Sequence, residues 1–269
     1  MCGLTGIVNL DFSKINQDIL IEMTNQLAHR GPDGFGTEIV NNVGFGHRRL
    51  SILDLSRNGA QPMYSANKNW LVVFNGCIYN FNELKRDLEK RGHKFNSTTD
   101  TEVIVEGLDE YGPTFFEKLN GMFAVAAYCV PNKKIYLSRD RFGIKPLYYW
   151  HKNTTFLFAS EIKSFLKHPL FKVELNKSAL NEYFTFQNLF TYRTLFNNVN
   201  MIPPANTIEI GDATNDKAFK AVFLTENFKM IHGTYNIDVS SAGLAHFVNE
   251  AGDLEYFIAI EAKDSTFGG

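Results

Sequence analysis

Strand-forming runs stand at both ends of the first 160 residues, with helical segments between and behind them. Such an order demands layers in which strands far apart in sequence meet. Residues 4–10 read as a short strand, and residues 15–27 place Ile15, Ile19, Leu20, Met23 and Leu27 at helical spacing. A glycine-rich loop, residues 30–36, follows with Pro-Asp-Gly turn chemistry. Residues 43–45 and 71–74 are β-prone, and the second run stops at Asn75-Gly76, which reads as a turn because that dipeptide favours positive φ. Residues 82–91 and 101–111 read as helices, with Asp100 placed to cap the second. Strands resume at 122–130, 134–138, 147–150 and 155–159, separated by turns at Pro131-Asn132-Lys133 and Phe142-Gly143. Helical spacing returns at 162–166 and 177–184. The sum is an α+β layered sandwich rather than a parallel doubly wound sheet.

With 269 residues, 44% of them hydrophobic, the chain is long enough for one large core or two modest ones. Its longest apolar run, residues 122–130, falls well short of the roughly 18–20 residues of a membrane span. No basic-then-apolar leader opens the sequence, so a cytoplasmic protein is expected. Cys2, Cys77 and Cys129 form no CxxC motif and suit free thiols in a reducing compartment. The net charge of −2 conceals an asymmetry: residues 1–210 carry 23 basic and 20 acidic side chains, whereas residues 211–269 carry 4 lysines, no arginine and 9 acids. That shift marks a domain boundary near residue 210, separating a domain of residues 1–210 from a tail of residues 211–269. It also argues against direct nucleic-acid binding, which needs clustered Lys and Arg.

Cys2 follows the initiator methionine directly, and trimming of Met1 would make it the N-terminal residue. One residue then offers a thiol nucleophile and an α-amine whose ordinary pKa, roughly 7.7–8.0, suits a base near neutral pH. Attack on a carboxamide needs further parts. Asn75 and Gly76 could donate a side-chain and a backbone N–H to an oxyanion, Arg49 could grip a carboxylate with its planar fork, and Asp100 could pair with an ammonium. Taken singly, each has a plainer reading as turn, surface charge or cap.

Ordered motifs then resemble a known family. They include Met1-Cys2-Gly3-Leu4-Thr5-Gly6-Ile7, His29-Arg30-Gly31-Pro32-Asp33-Gly34, Gly46-His47-Arg48-Arg49-Leu50-Ser51-Ile52 and Phe74-Asn75-Gly76-Cys77-Ile78-Tyr79-Asn80. Downstream come Asp100-Thr101-Glu102, Leu119-Asn120-Gly121-Met122-Phe123, Arg139-Asp140-Arg141-Phe142-Gly143-Ile144-Lys145-Pro146 and Phe158-Ala159-Ser160-Glu161. Residues 1 to about 210 resemble the class II glutamine amidotransferase domain of glutamine-hydrolysing asparagine synthetases. The resemblance implies a four-layer αββα N-terminal nucleophile hydrolase sandwich. It assigns Cys2 as nucleophile and Asn75 and Gly76 as the oxyanion hole. It gives the grip on glutamine to Arg49, the backbone of Leu50, Ser51, Ile52 and Leu53, the 75–77 segment with Cys77, and Asp100. The implied cycle passes through a γ-glutamyl thioester and releases ammonia, with no metal or organic cofactor for this half-reaction.

Two departures bear on function. Where the family carries glutamate, this chain has Cys77, which removes a carboxylate from the ammonium site. The SGGxDS-type loop of the family's ATP-dependent synthetase part is not found in the 269 residues, so ATP and magnesium are expected only with a separate synthetase partner acting in trans, and aspartate is the natural acceptor. Residues 217–267 resemble, over a shorter stretch, the C-terminal end of a T-even-phage-type polymerase sliding clamp. A fragment of that size is expected to be a small β-rich tail that docks on the front domain or drives homo-oligomerisation. The competing reading is an inactive truncated or fused remnant that serves as a clamp-like binding module. The first departure is testable: Cys77→Glu is expected to lower the KM for glutamine, corresponding to about 1–3 kcal/mol for a restored charged partner. An unchanged KM would dismiss that role for position 77.

Overall fold

A computed structural model of the chain describes residues 1–211 and three two-residue strands beyond them, Val222–Phe223, Phe247–Val248 and Leu254–Glu255. The first sheet contains β1 (Gly3–Asn9), β2 (Gly34–Val40), β3 (Val43–Arg49), β8 (Tyr148–Lys152), β9 (Thr155–Ala159) and β10 (Val199–Met201) in the order β10-β8-β9-β1-β3-β2. The second contains β4 (Met63–Tyr64), β5 (Trp70–Ile78), β6 (Gly121–Cys129), β7 (Lys134–Arg139), β11 (Thr207–Ile210) and β12 (Val222–Phe223) in the order β12-β11-β7-β6-β5-β4. Each of these pairings is antiparallel. The remaining two strands, β13 and β14, pair with each other.

Alternation along the strands builds three cores. Leu4 and Val8 of β1, Phe45 of β3, Leu71 and Val73 of β5 and Leu137 of β7 fill the space between the sheets. Ile7 points the other way, beneath α1 (Gln17–Asn25), where it joins Leu20, Met23, Leu157 and Phe165. On the far side, Val72 and Phe74 of β5 pack against Val103, Ile104 and Leu108 of α3 (Asp100–Tyr111), with α2 (Phe81–Lys90) contributing Leu88. Helix, sheet, sheet, helix is the four-layer sandwich that the sequence resemblance implied.

Local departures from the sequence reading have tertiary causes. Asn75-Gly76 is no turn: β5 runs through both residues to Ile78, paired with β6 in the register Asn75↔Ala124 and Gly76↔Phe123. A Cβ on Gly76 would sit 2.2 Å from the Met122 carbonyl oxygen, so glycine serves close strand approach here and not positive φ. Gly34 and Gly36, read as loop, begin the edge strand β2; a Cβ on Gly36 would meet the Gln61 carbonyl oxygen at 2.1 Å. Asp100 is the first residue inside α3, and the cap is Thr99, which accepts from the Glu102 N–H. Residues 162–167 form a 3₁₀ helix, as suits a six-residue connector. The small β-rich tail expected over residues 211–269 falls outside the described residues apart from its three short strands.

A buried histidine links the two sheets. His47 on β3 lies on the same face as Phe45, and its Nε2 meets the Phe74 carbonyl oxygen of β5 at 3.0 Å. Burial, assisted by the charge of Arg49, lowers its pKa from 6.5 to about 4, so at neutral pH the ring is uncharged and donates that bond. Between pH 6.5 and 4 the unfolded chain binds the proton that the folded one refuses, so stability falls as pH falls through this window. Urea unfolding is expected to show a loss of about 3 kcal/mol across it that His47→Leu lacks. Equal slopes in both proteins would remove His47 as the cause.

Candidate active site

Pairing with β3 on one side and β9 on the other makes β1 an internal strand of its sheet, and Cys2 stands directly before it. The end of β3 comes alongside, so the Leu50 N–H points at Cys2 Sγ (3.4 Å) and the Leu50 carbonyl accepts from the thiol (3.7 Å). Burial pushes the thiol pKa up, opposed by that N–H, the chain's amino group and Arg49.

The loop between α1 and β2 secures both sides of this contact. Arg30 donates from Nε to the Cys2 carbonyl (2.9 Å) and from a terminal nitrogen to Glu161 (2.9 Å). Burial resists ionisation of Glu161, yet bonds from Arg30, His29 and Lys163 outweigh it and hold its carboxyl down to about 2. Gly31 lets the loop close on β3, since a Cβ there would lie 2.3 Å from the Arg48 carbonyl oxygen. Asp33 then accepts the Ser51 N–H at 2.9 Å. Arg30, Asp33 and Glu161 belong to the quoted motifs, but sequence alone gave them no role, because their partners lie up to 132 positions away.

Arg49 turns its guanidinium onto the loop that follows it, donating to the carbonyls of Ser56 (2.8 Å), Leu53 (3.2 Å) and Asp54. Asp54 accepts from Ser56 and from the Thr98 N–H, and these bonds lower its carboxyl to about 2. The loop is thus fastened at both ends, with Ile52 and Leu53 exposed.

Asn75 is buried, and its Nδ2 has no hydrogen-bond partner among the described residues. An amide N–H₂ left this way is costly unless something else accepts from it, and it is therefore a prepared donor. Three residues on, the Ile78 N–H donates to Asp100 at 3.0 Å, and burial raises the carboxyl pKa against that bond. Cys77 lies between them, its thiol pKa raised by burial and by Asp100 and opposed by Lys145. Asp100 also acts electrostatically on Cys2. The fold therefore gathers Cys2, Arg49, Leu50, Cys77 and Asp100 in one electrostatic neighbourhood, with Asn75 and Gly76 on the adjoining strand. Among the described residues no cluster of His, Cys, Asp and Glu could hold a metal ion, and no helix is long and apolar enough to cross a membrane.

Known proteins resemble the chain in sequence and in fold. The glutamine amidotransferase domain family matches residues 1–220. The C-terminal part of the gp45 sliding clamp matches residues 196–262, overlapping β10 and β11 of the sandwich. Asparagine synthetase [glutamine-hydrolyzing] 1 of Bacillus subtilis is 38% identical over 86% of this chain and 38% of its own length. Asparagine synthetase [glutamine-hydrolyzing] 3 of the same organism is 35% identical over 77% of this chain and 34% of its own. The chain thus spans well under half the length of these curated relatives. Among solved structures, the glutamine phosphoribosylpyrophosphate amidotransferase of B. subtilis superposes with a TM-score of 0.59 and 18% identity, over 84% of this chain and 50% of that one. The likeness establishes the fold.

Proposed function

The chain belongs to the glutamine amidotransferase domain family, and on that premise we propose that it releases ammonia from L-glutamine through a thioester on Cys2. The observation that carries the reading is the pairing of a thiol at the head of an internal strand with a buried, unpartnered amide donor at Asn75. With Met1 removed, the Cys2 amine takes the thiol proton and the sulfur attacks the side-chain carbonyl carbon of glutamine. Asn75 Nδ2 and the Gly76 N–H receive the developing oxyanion. The C–N bond breaks as the amine returns its proton to the leaving nitrogen, and water then cleaves the thioester to give glutamate. Asp100 offers a carboxylate to the α-ammonium, and Arg49 with the 50–53 backbone shapes the other end of the pocket.

Similarity to asparagine synthetases supports aspartate as the acceptor, reached through a synthetase part that uses ATP and magnesium. Similarity to the asparagine synthetases also supports a cytoplasmic setting. The match to a sliding clamp over residues 196–262 favours a second reading, a binding module carrying an idle hydrolase domain.

Glutamate formation from glutamine by the purified chain separates the two readings. Cys2→Ala is expected to abolish it, and Asn75→Ala to reduce kcat by about 10²–10³ for loss of one oxyanion donor. Turnover that survives Cys2→Ala would refute the mechanism, and a trimmed chain with no turnover in the presence of acceptor and synthetase would favour the binding module.

A further inference from the structure

Lys145 is a buried cation delivered to the head of the chain. It ends the loop after β7, which is fixed from within: the Asp140 carboxylate accepts the N–H groups of Phe142 (3.1 Å), Ile144 (2.9 Å) and Lys145 (2.9 Å). Arg139 holds the Lys145 carbonyl at 2.7 Å. The backbone of Lys145 is therefore fixed, its side chain is buried, and its ammonium lies 3.1 Å from the sulfur of Met1, the residue joined to Cys2. A thioether is a weak acceptor for a buried ammonium, and trimming of Met1 would remove it, leaving the charge facing the new N-terminus.

Resting on the glutaminase reading above, we propose that Lys145 is a positioning residue that keeps the Cys2 amine and thiol in their reactive protonation state at neutral and mildly acidic pH. The residue works as nucleophile and base only after losing one proton from the form that carries an ammonium and a neutral thiol. That form is the one with a net positive charge, so a fixed cation beside it disfavours it by Coulomb repulsion, whichever of the two atoms keeps the remaining proton. The surrounding charges fit the assignment. Arg30 reinforces Lys145 from the α1–β2 loop and Arg49 acts on Cys2 from the end of β3, while Asp100 of α3 and Asp140 oppose them. Burial, then Arg30, lower the Lys145 pKa; Asp140, Cys2 and Cys77 counter that shift, which places both thiols within its electrostatic reach.

The test is the pH dependence of iodoacetamide alkylation at Cys2, read from the mass of its N-terminal peptide in the trimmed full chain and in Lys145→Met and Lys145→Arg. Loss of the charge is expected to move the alkylation midpoint up by about one pH unit, and arginine to restore it. A midpoint unchanged in Lys145→Met, or one moved equally by both variants, overturns the proposal. Should Lys145→Met not fold, the coupling is read from the other side by 15N NMR titration of the Lys145 ammonium in the parent chain and in Cys2→Ala. Its midpoint must drop when the thiol is removed, and an unmoved midpoint refutes the coupling. Glutamine hydrolysis by the parent chain, measured alongside, keeps the two claims apart: turnover with an unmoved alkylation midpoint overturns the role of Lys145 alone.

Discussion

Everything at the site depends on β1 lying inside its sheet, between β3 and β9. A strand that begins at residue 3 can hold that place only when partners from residues 43–49 and 155–159 have closed on it. Cys2 is then a tethered group whose backbone direction is set by two ladders of hydrogen bonds, and whose carbonyl is fixed by Arg30. Loop closure over some 150 residues has an entropic cost that grows only slowly with length. The cost is met by the three apolar cores on and between the sheets.

The same geometry explains why the site is built from pairs of distant residues. His47 carries a bond across the sandwich to Phe74, and the next residue along β5 is Asn75. The position of the Asn75 amide is thereby coupled to that of the strand that ends beside Cys2. Gly76 allows the close approach of β5 to β6, next to the buried Asn75, whose amide nitrogen has no partner among the described residues. A well-packed interior accepts such an orphan donor only at a price in stability, which is why its presence points to function.

Much of the sandwich was legible from periodicity. Short apolar and β-prone runs bounded by turns predicted β1, β6 and β7, and helical spacing predicted α1, because burial leaves a direct trace in the sequence. Asn75-Gly76 was misread as a turn because dipeptide preference is local, whereas the need for glycine came from the Met122 carbonyl on the neighbouring strand. Asp100 sat one position inside the helix, its carboxylate bound to Ile78 and the cap left to Thr99. Cys2 was visible from its place in the chain alone. Arg30, Asp33, His47, Lys145 and Glu161 were not assigned, since each acts through a partner that only the fold brings near.

The central claim is that a trimmed Cys2 meets a glutamine pocket that functions with Cys77 in place of glutamate. Intact-mass analysis before and after incubation with 6-diazo-5-oxo-L-norleucine, with Cys2→Ala as control, addresses it directly. The expected result is a chain lighter by Met1 that gains a single adduct absent from the control. A trimmed chain that gains no adduct would contradict it.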